Sequence, residues 1–234
     1  MNKSNSLELI RVDSLSRSFY NKPVIENLNL SIEMNQHCIL FAPSGTGKTT
    51  LLRILLGLDR EYSGTIQNSL LPREISVVFQ RPALLAHRTV QENLEYSARL
   101  CKVQKDEQYL QRLHGWIDTC QLQAYLKYFP WQLSAGQKQK VALVRAFLTD
   151  PRLVLMDEPF NSIDLASRRV IMRHILKNHP GVTMFMISHN LEDLALLKQC
   201  ELLVFHKKPL CNYEQIHYSG SRAEISEIFN RLFS

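Results

Sequence analysis

Residues 37–57, HCILFAPSGTGKTTLLRILLG, carry the strongest structural signal in this chain. A short apolar run, typical of a buried strand, ends at Phe41 and is followed by a loop that contains two glycines. A helical stretch then begins around Lys48 and ends near Gly57. This order of strand, glycine-containing loop and helix is the context in which a phosphate-binding loop is credible. We therefore expect phosphate to bind where the helix begins.

The residue types in this loop suit a nucleotide. Backbone N–H groups can point at phosphate oxygens, the helix N-terminus adds a favourable dipole, and glycine permits the left-handed backbone of a tight curl. Lys48 would neutralise the β- and γ-phosphates of ATP, and the Thr49 hydroxyl would bind Mg²⁺. The candidate contacts are Ala42, Pro43, Ser44, Gly45, Thr46, Gly47, Lys48, Thr49 and Thr50.

A second apolar run, Leu153 to Met156, ends in two adjacent carboxylates, Asp157 and Glu158. In a protein with a phosphate loop, the aspartate at a strand end holds the Mg²⁺ shell. The following carboxylate can polarise the attacking water as a general base. Neighbouring residues on a strand point to opposite faces, so the two carboxylates need not share a role.

Two further polar residues follow apolar runs: Gln80 after ISVVF and His189 after TMFMIS. Either residue alone is more often structural than functional. In combination with the phosphate loop, Gln80 could reach the metal or the water. A histidine at a strand end in this fold could contact the γ-phosphate and position the catalytic water.

The segment WQLSAGQKQKVALVRAFLTD, residues 131–150, predicts a second anion-binding helix N-terminus. Ser134 and Gln137 have the spacing of a capping box, so a helix is expected to start at Ser134. One ATP has one γ-phosphate, whereas the chain has two such devices. The simplest interpretation is that the second device serves the ATP of a second copy.

Apolar runs alternate with helical stretches, which predicts an α/β fold with a mostly parallel sheet. Residues 7–32 contain two runs around a turn-like NKP and predict an antiparallel β-subdomain. Residues 84–130 contain no convincing strand and predict a helical subdomain within a single domain, 1–234, whose remainder is 1–83 and 131–234. The C-terminal segment predicts an amphipathic helix. Its apolar face comprises Ile225, Ile228, Phe229, Leu232 and Phe233.

Composition narrows the classes of function. The net charge is +6, but the basic residues are spread along the chain, which favours a solvated surface over a nucleic-acid patch. No apolar window approaches the length of a membrane helix, and the N-terminus lacks the features of a secretory signal, so a cytosolic protein is expected. The odd number of cysteines and their wide spacing argue against disulfides and zinc. They are Cys38, Cys101, Cys120, Cys200 and Cys211.

Together these motifs resemble the ATP-binding subunits of ABC transporters, over about residues 7–205. LSAGQ, residues 133–137, resembles the family signature, with Ala135 where the family usually has glycine. The phosphate loop also departs from the usual pattern, because Ala42 stands at the position of its first glycine. The other matching residues, in the family's order, are Gln80, Asp157, Glu158, Asp164 within NSID, and His189.

The resemblance implies a head-to-tail dimer, homomeric or heteromeric, that sandwiches two ATP molecules. Ser134 and Gly136, with Gln137, would face the partner's γ-phosphate, and Asp164 would communicate across the dimer. Phe19 would stack on adenine, with Tyr20 as the alternative. Integral membrane permease subunits would be the partners, together with a solute-binding protein and no nucleic acid. Such a subunit lies on the cytoplasmic face of the inner membrane.

The sequence after Gln80, RPALLAHRTVQENL, and the order DEPF then NSID look like bacterial importers. The nitrate, sulfonate and taurine group is the most similar, although LLAHRTV departs from the aromatic-containing stretch of that group. A small anionic solute is therefore implied. The alternatives are a soluble ABC ATPase in translation or DNA metabolism, and a non-hydrolysing copy. The absence of a coiled-coil insertion disfavours the former, and the complete set of catalytic residues disfavours the latter.

Overall fold

The computed structural model describes residues 7–233, except the side chains of residues 222, 229 and 231–233. The chain divides into two compact units, one running up to Leu70 and resuming at Thr183, the other comprising Leu71–Val182. The predicted boundaries of the helical subdomain, 84–130, differ from this division and remain a prediction. The predicted apolar positions 229, 232 and 233 lie outside the described side chains. No helix of the described residues is long and apolar enough to cross a membrane.

The first unit begins with an antiparallel sheet of three strands in the order β2-β1-β4. These strands are β1 (Glu8–Phe19), β2 (Lys22–Glu33) and β4 (Ser63–Asn68). The hairpin between β1 and β2 turns at Tyr20 and Asn21, whose φ angles are 50° and 61°. Two positive φ angles define the tight turn whose twist suits a hairpin. The predicted antiparallel subdomain is therefore present, with a turn at Tyr20 and Asn21 that overlaps the start of the NKP segment.

The other strands of the first unit are β3 (Cys38–Phe41), β7 (Thr183–Ser188), β8 (Cys200–Val204) and β9 (Glu214–Tyr218), and its helices are α1 (Lys48–Leu55) and α6 (Arg222–Phe233). Strand β3 is parallel to both β7 and β8, whereas β9 is antiparallel to β8. The register pairs Phe41 with Ser188 and with Val204, so three parallel strands end at the same edge. Whatever follows Phe41 and Ser188 is therefore brought to one place.

The second unit contains a parallel strand pair and four α-helices. They are β5 (Ile75–Val78), β6 (Leu153–Asp157), α2 (Val90–Leu100), α3 (Glu107–Cys120), α4 (Ala135–Phe147) and α5 (Leu165–Asn178). Between residues 84 and 130 the described elements are all helical, as predicted. Both strands are paired in register from Ile75 with Leu153 to Val78 with Met156, so they also end together. The α/β fold with a parallel core is confirmed.

The helices of the second unit enclose an aromatic core around Trp116, which is fully buried. Its ring centroid lies 5.5 Å from that of Phe147 and 5.9 Å from that of His179. The indole Nε1 donates to His179 Nε2 at 3.3 Å, and the other ring nitrogen lies 3.1 Å from Asp150 Oδ1. The contact with His179 lowers the pKa of the Asp150 carboxyl. This core fixes α3, α4 and α5, and so positions the helix that carries LSAGQ.

Candidate nucleotide site

The phosphate loop joins β3 to α1 within the first unit. Lys48 opens α1 and is only 7% exposed. Its ammonium Nζ donates to the carbonyl oxygens of Ala42 and Pro43, at 2.7 and 2.9 Å. The Thr46 hydroxyl donates to the same Pro43 oxygen at 2.8 Å. These bonds hold the loop curled around the lysine, so that a buried positive charge and the first amides of a helix share one concave segment.

Glycine is required at the start of α1. Gly47 is the N-cap residue with φ 107°, a backbone conformation that other residues rarely adopt. A Cβ atom there would lie 2.5 Å from Val24 Cγ1 and 2.9 Å from the Val24 carbonyl oxygen on β2. Ala42 is not among the described residues with positive φ, so its methyl group fits where the pattern has glycine. The substitution at Ala42 thus leaves the curl of the loop intact.

His189 follows β7 at the edge where the phosphate loop follows β3. The register that pairs Phe41 with Ser188 accounts for this placement. The turn around His189 is fixed, because Ser188 Oγ donates to Asp193 Oδ2 at 2.6 Å and accepts from the Asn190 amide at 3.0 Å. The His189 side chain itself is exposed. A histidine on a rigid turn beside the phosphate loop is suited to contact a nucleotide's terminal phosphate.

In the second unit, Gln80 and Glu158 meet beyond the paired ends of β5 and β6. The Gln80 Nε2 donates to Glu158 Oε2 at 2.8 Å. The Asn161 side-chain amide donates to the same oxygen. Asp157, by contrast, is the last residue of β6 and is 3% exposed. The two neighbouring carboxylates therefore occupy different environments, because Asp157 ends the buried strand whereas Glu158 lies beyond it and is half-buried.

The backbone of Glu158 is left-handed, with φ 47°. For a residue other than glycine this conformation costs about 1–3 kcal/mol and is concentrated at functional sites. The turn that follows brings Asn161 back to the Glu158 carboxylate. Asn161 was missed from the sequence alone. Its position three residues after Glu158, in a turn before a helix, is the signal that could have identified it.

The predicted capping box at α4 is present. Ser134 is the N-cap residue, its Oγ accepts from the Gln137 amide at 3.2 Å, and Gln137 Oε1 accepts from the Ser134 amide at 2.8 Å. Gly136 packs against the NSID segment, since a Cβ atom there would lie 2.5 Å from the Ser162 carbonyl oxygen. The serine-capped end of the helix is exposed, as a contact with another molecule requires.

A family model described as ABC transporter matches residues 25–161. That range covers more than half of the chain, from β2 through the phosphate loop and LSAGQ to Asn161. The chain belongs to the ABC transporter family. It is an ATP-binding ATPase cassette of this family, and the predicted resemblance is confirmed.

Two relatives from bacteria are similar over most of this chain. The taurine import ATP-binding protein TauB of Escherichia coli O6:H1 is 33% identical over 208 residues, which cover 86% of this chain and 81% of TauB. The spermidine/putrescine import ATP-binding protein PotA of Pasteurella multocida is 33% identical over 235 residues, which cover 96% of this chain. The match spans only 61% of the length of PotA.

A solved dimeric ATP-binding cassette, in a post-hydrolysis state bound to ADP and Pi, has the same fold. Its TM-score is 0.75 at 23% sequence identity, covering 88% of this chain and 98% of that chain. At this level of identity the likeness shows the fold alone.

The aromatic residue expected to stack on adenine, Phe19, ends strand β1 and is 40% exposed. The Arg17 guanidinium carbon lies 4.2 Å from the Phe19 ring centroid, so one face of the ring is covered. Arg17 is itself held by Asp59 at 3.2 Å and by Glu61 at 2.9 Å. Stacking of adenine on Phe19 remains a prediction, and the face that Arg17 covers is closed to it. The alternative, Tyr20, is fully exposed.

Asp164 of the ABC cassette caps helix α5. Its Oδ1 accepts from the Ser167 amide at 2.9 Å, and hydrogen bonding to Ser167 lowers the pKa of the Asp164 carboxyl. This cap is a structural role for Asp164 within a single chain. A role across a dimer remains a prediction.

The predicted site residues thus fall into two groups, one in each unit. The first unit holds Phe19, the phosphate loop from Ala42 to Thr50, and His189. The second unit holds Gln80, Ser134, Gly136, Gln137, Asp157, Glu158 and Asp164.

Metal ligands were predicted at Thr49, Gln80 and Asp157, which offer hydroxyl, amide and carboxylate oxygens. Within residues 7–233 no group of three or more histidine, cysteine, aspartate or glutamate residues could hold a metal ion. Mg²⁺ does not require such a group, because it usually keeps several waters and takes one or two protein carboxylates together with substrate phosphates. The donor types therefore fit Mg²⁺ and would not suit zinc.

Proposed function

We propose that this chain hydrolyses MgATP as the ATP-binding subunit of an importer, working as a dimer on the cytoplasmic face of the inner membrane. Its partners are integral membrane permease subunits and a solute-binding protein. The observation that carries the hydrolytic part is the Glu158 carboxylate, held on a strained turn by the amides of Gln80 and Asn161.

Each residue has a distinct part in the proposed reaction. Lys48 and the loop amides bind the β- and γ-phosphates and offset their charge. Glu158 accepts a proton from the attacking water, while Gln80 and Asn161 keep its carboxylate in one orientation. His189 contacts the γ-phosphate and helps to hold that water. Thr49, Gln80 and Asp157 would hold Mg²⁺, which neutralises charge on the phosphates when it is bound.

The dimer follows from the second anion-binding device. Ser134 and Gly136 lie at the exposed N-terminus of α4, where backbone amides can meet a negative charge. In the proposed head-to-tail dimer this end of the helix contacts the γ-phosphate bound by the partner. The dimeric state of the similar solved cassette supports a dimer of this chain.

For the solute we propose a small anion such as nitrate, a sulfonate or taurine. The 33% identity to a taurine import ATP-binding protein supports this group. Because equal identity links this chain to taurine and to polyamine importers, its residues do not select the solute. Uptake of labelled taurine, nitrate and spermidine, after co-expression with the permease and the binding protein of its own transporter, tests this choice. Uptake of spermidine alone would refute it.

The Glu158→Gln variant tests the proposed base. The amide has the same size but cannot accept a proton from water, so kcat should fall by about 10²- to 10⁴-fold while MgATP still binds. ATP should then trap a dimer that is detectable by size-exclusion chromatography with light scattering. A matched control is Glu95→Gln, at a partly buried glutamate bonded to Lys105, which should keep kcat within about twofold. Near-wild-type turnover of Glu158→Gln would remove this residue as the base.

A further inference from the structure

The connection between β8 and β9 runs beside the phosphate loop. At its start, the Phe205 amide donates to the Phe41 carbonyl oxygen at 2.9 Å. Further along, Leu210 is joined to β2, because the Glu26 amide donates to the Leu210 carbonyl at 2.8 Å and the Leu210 amide donates to the Val24 carbonyl at 3.0 Å. Val24 is the residue against which Gly47 packs. The segment is thus anchored at both ends to elements that support the loop.

Between these anchors, Lys208 reaches the loop itself. A Cβ atom added to Gly45 would lie 3.0 Å from Lys208 Nζ and 3.8 Å from Lys208 Cε. Gly45 is exposed and has φ 69°. The ammonium group therefore lies on the open side of the loop, beside the backbone that is expected to wrap the phosphates. Lys48, in contrast, is buried and bonds to the loop carbonyls.

The Lys208 ammonium is available for a ligand. Its side chain is exposed, and among residues 7–233 it forms no ion pair with a carboxylate. Two ammonium groups, of the buried Lys48 and the exposed Lys208, therefore flank the phosphate loop. The backbone of the loop can offer an anion only N–H donors. A triphosphate would place several negative charges within reach of both ammonium groups.

We propose that Lys208 is a second lysine of the nucleotide site, which binds phosphate oxygens of ATP from the solvent side of the loop. The proposal rests on ATP binding by the phosphate loop. Lys208 is a binding residue in this scheme, and the proton transfer remains with Glu158. Its contribution is an exposed charge-assisted contact, so its removal should raise the KM for MgATP by about three- to tenfold and leave kcat within about twofold.

Three variants test this assignment: Lys208→Ala, Lys208→Arg and the control Lys207→Ala. Lys207 is the preceding residue, is also exposed, and changes the net charge equally. We expect a raised KM and a raised Kd for MgATP only in Lys208→Ala, with recovery in Lys208→Arg. The salt dependence of ATP binding should also be weaker in Lys208→Ala, because one cation no longer contacts the phosphates.

A loss of general surface charge would instead affect Lys207→Ala and Lys208→Ala alike, and that result would overturn the proposal. So would wild-type binding by Lys208→Ala, or an arginine variant as weak as the alanine variant. Failure of the wild-type protein to bind MgATP would be a different outcome. It would refute the nucleotide site as a whole, and Lys48→Ala run beside the other variants identifies that case.

Discussion

Substitution of Gly136 by alanine should disrupt both packing and catalysis in the second unit. The added Cβ would lie 2.5 Å from the Ser162 carbonyl oxygen, whereas ordinary contacts begin near 3.4 Å. The carbonyl must therefore move by roughly 0.5–1 Å, or α4 must shift. The contact is with the backbone of Ser162, so no side-chain rotation can relieve the overlap.

Two opposing contributions set the change in the free energy of unfolding. Overpacking of this kind costs about 1–3 kcal/mol. Replacing a glycine within a helix by alanine returns up to about 1 kcal/mol of helix propensity. We expect a net loss of about 1–2 kcal/mol, which for a protein of this size lowers Tm by about 2–8 °C. Ser162 lies in the chain between Asn161, which donates to Glu158, and Asp164, which caps α5. Because a displacement near 1 Å can cost up to 10²-fold in rate, kcat should fall by about 10- to 100-fold.

Thermal unfolding and steady-state ATPase assays of Gly136→Ala measure both effects. The matched control is Ala135→Gly, at the preceding, exposed residue. It removes a methyl group without adding a contact, so it should cost less than about 1 kcal/mol and leave kcat near the wild-type value. A Gly136→Ala protein that melts at or above the wild-type temperature with unchanged turnover would refute the argument from the Ser162 contact.

Two further variants or treatments test the site and the core. Lys48→Ala removes the buried ammonium that offsets the phosphates, so MgATP affinity measured by calorimetry should fall by at least about 100-fold; unchanged affinity would refute that role. Burial raises the pKa of Cys38, Cys120 and Cys200 to about 12, so these thiols stay protonated at neutral pH. Because the thiolate is the reactive form, iodoacetamide at pH 8 should label them in urea but not in the folded protein, as mass spectrometry can show. Rapid labelling of the native protein would contradict their burial.

The sequence predicted the buried strands well, because each contains a short run of apolar residues. It did not predict β4 or β9. Strand β4, SGTIQN, is exposed apart from Ile66, which is half-buried, and it pairs with β1. Strand β9, EQIHY, is likewise mixed in polarity and pairs with β8. Edge strands of this kind owe their structure to backbone pairing with a distant segment, which no local hydrophobic pattern reports.

The same distinction separates the predicted site residues from the missed ones. The phosphate loop and the capping box are local, since their hydrogen bonds join residues a few positions apart. The Gln80–Glu158 bond and the position of His189 instead depend on the register of parallel strands. A slip of one residue would turn the side chains to opposite faces and separate the polar groups. The sequence indicates that polar residues follow buried strands, but the pairing of Val78 with Met156 and of Phe41 with Ser188 decides which of them meet.

Lys208 belongs to no sequence motif, and its position too depends on contacts between distant segments. It stands in an exposed connection, next to another lysine, and its residue type alone indicates only a solvated surface. What brings it to the phosphate loop is the bonding of Leu210 to Val24 and Glu26, backbone contacts between an irregular segment and β2. A basic residue on such a connection acquires a binding role only through the strand that anchors it. Its function is therefore a property of the folded chain, and it is testable only by comparing Lys208 with a neighbour that shares its charge but not its position.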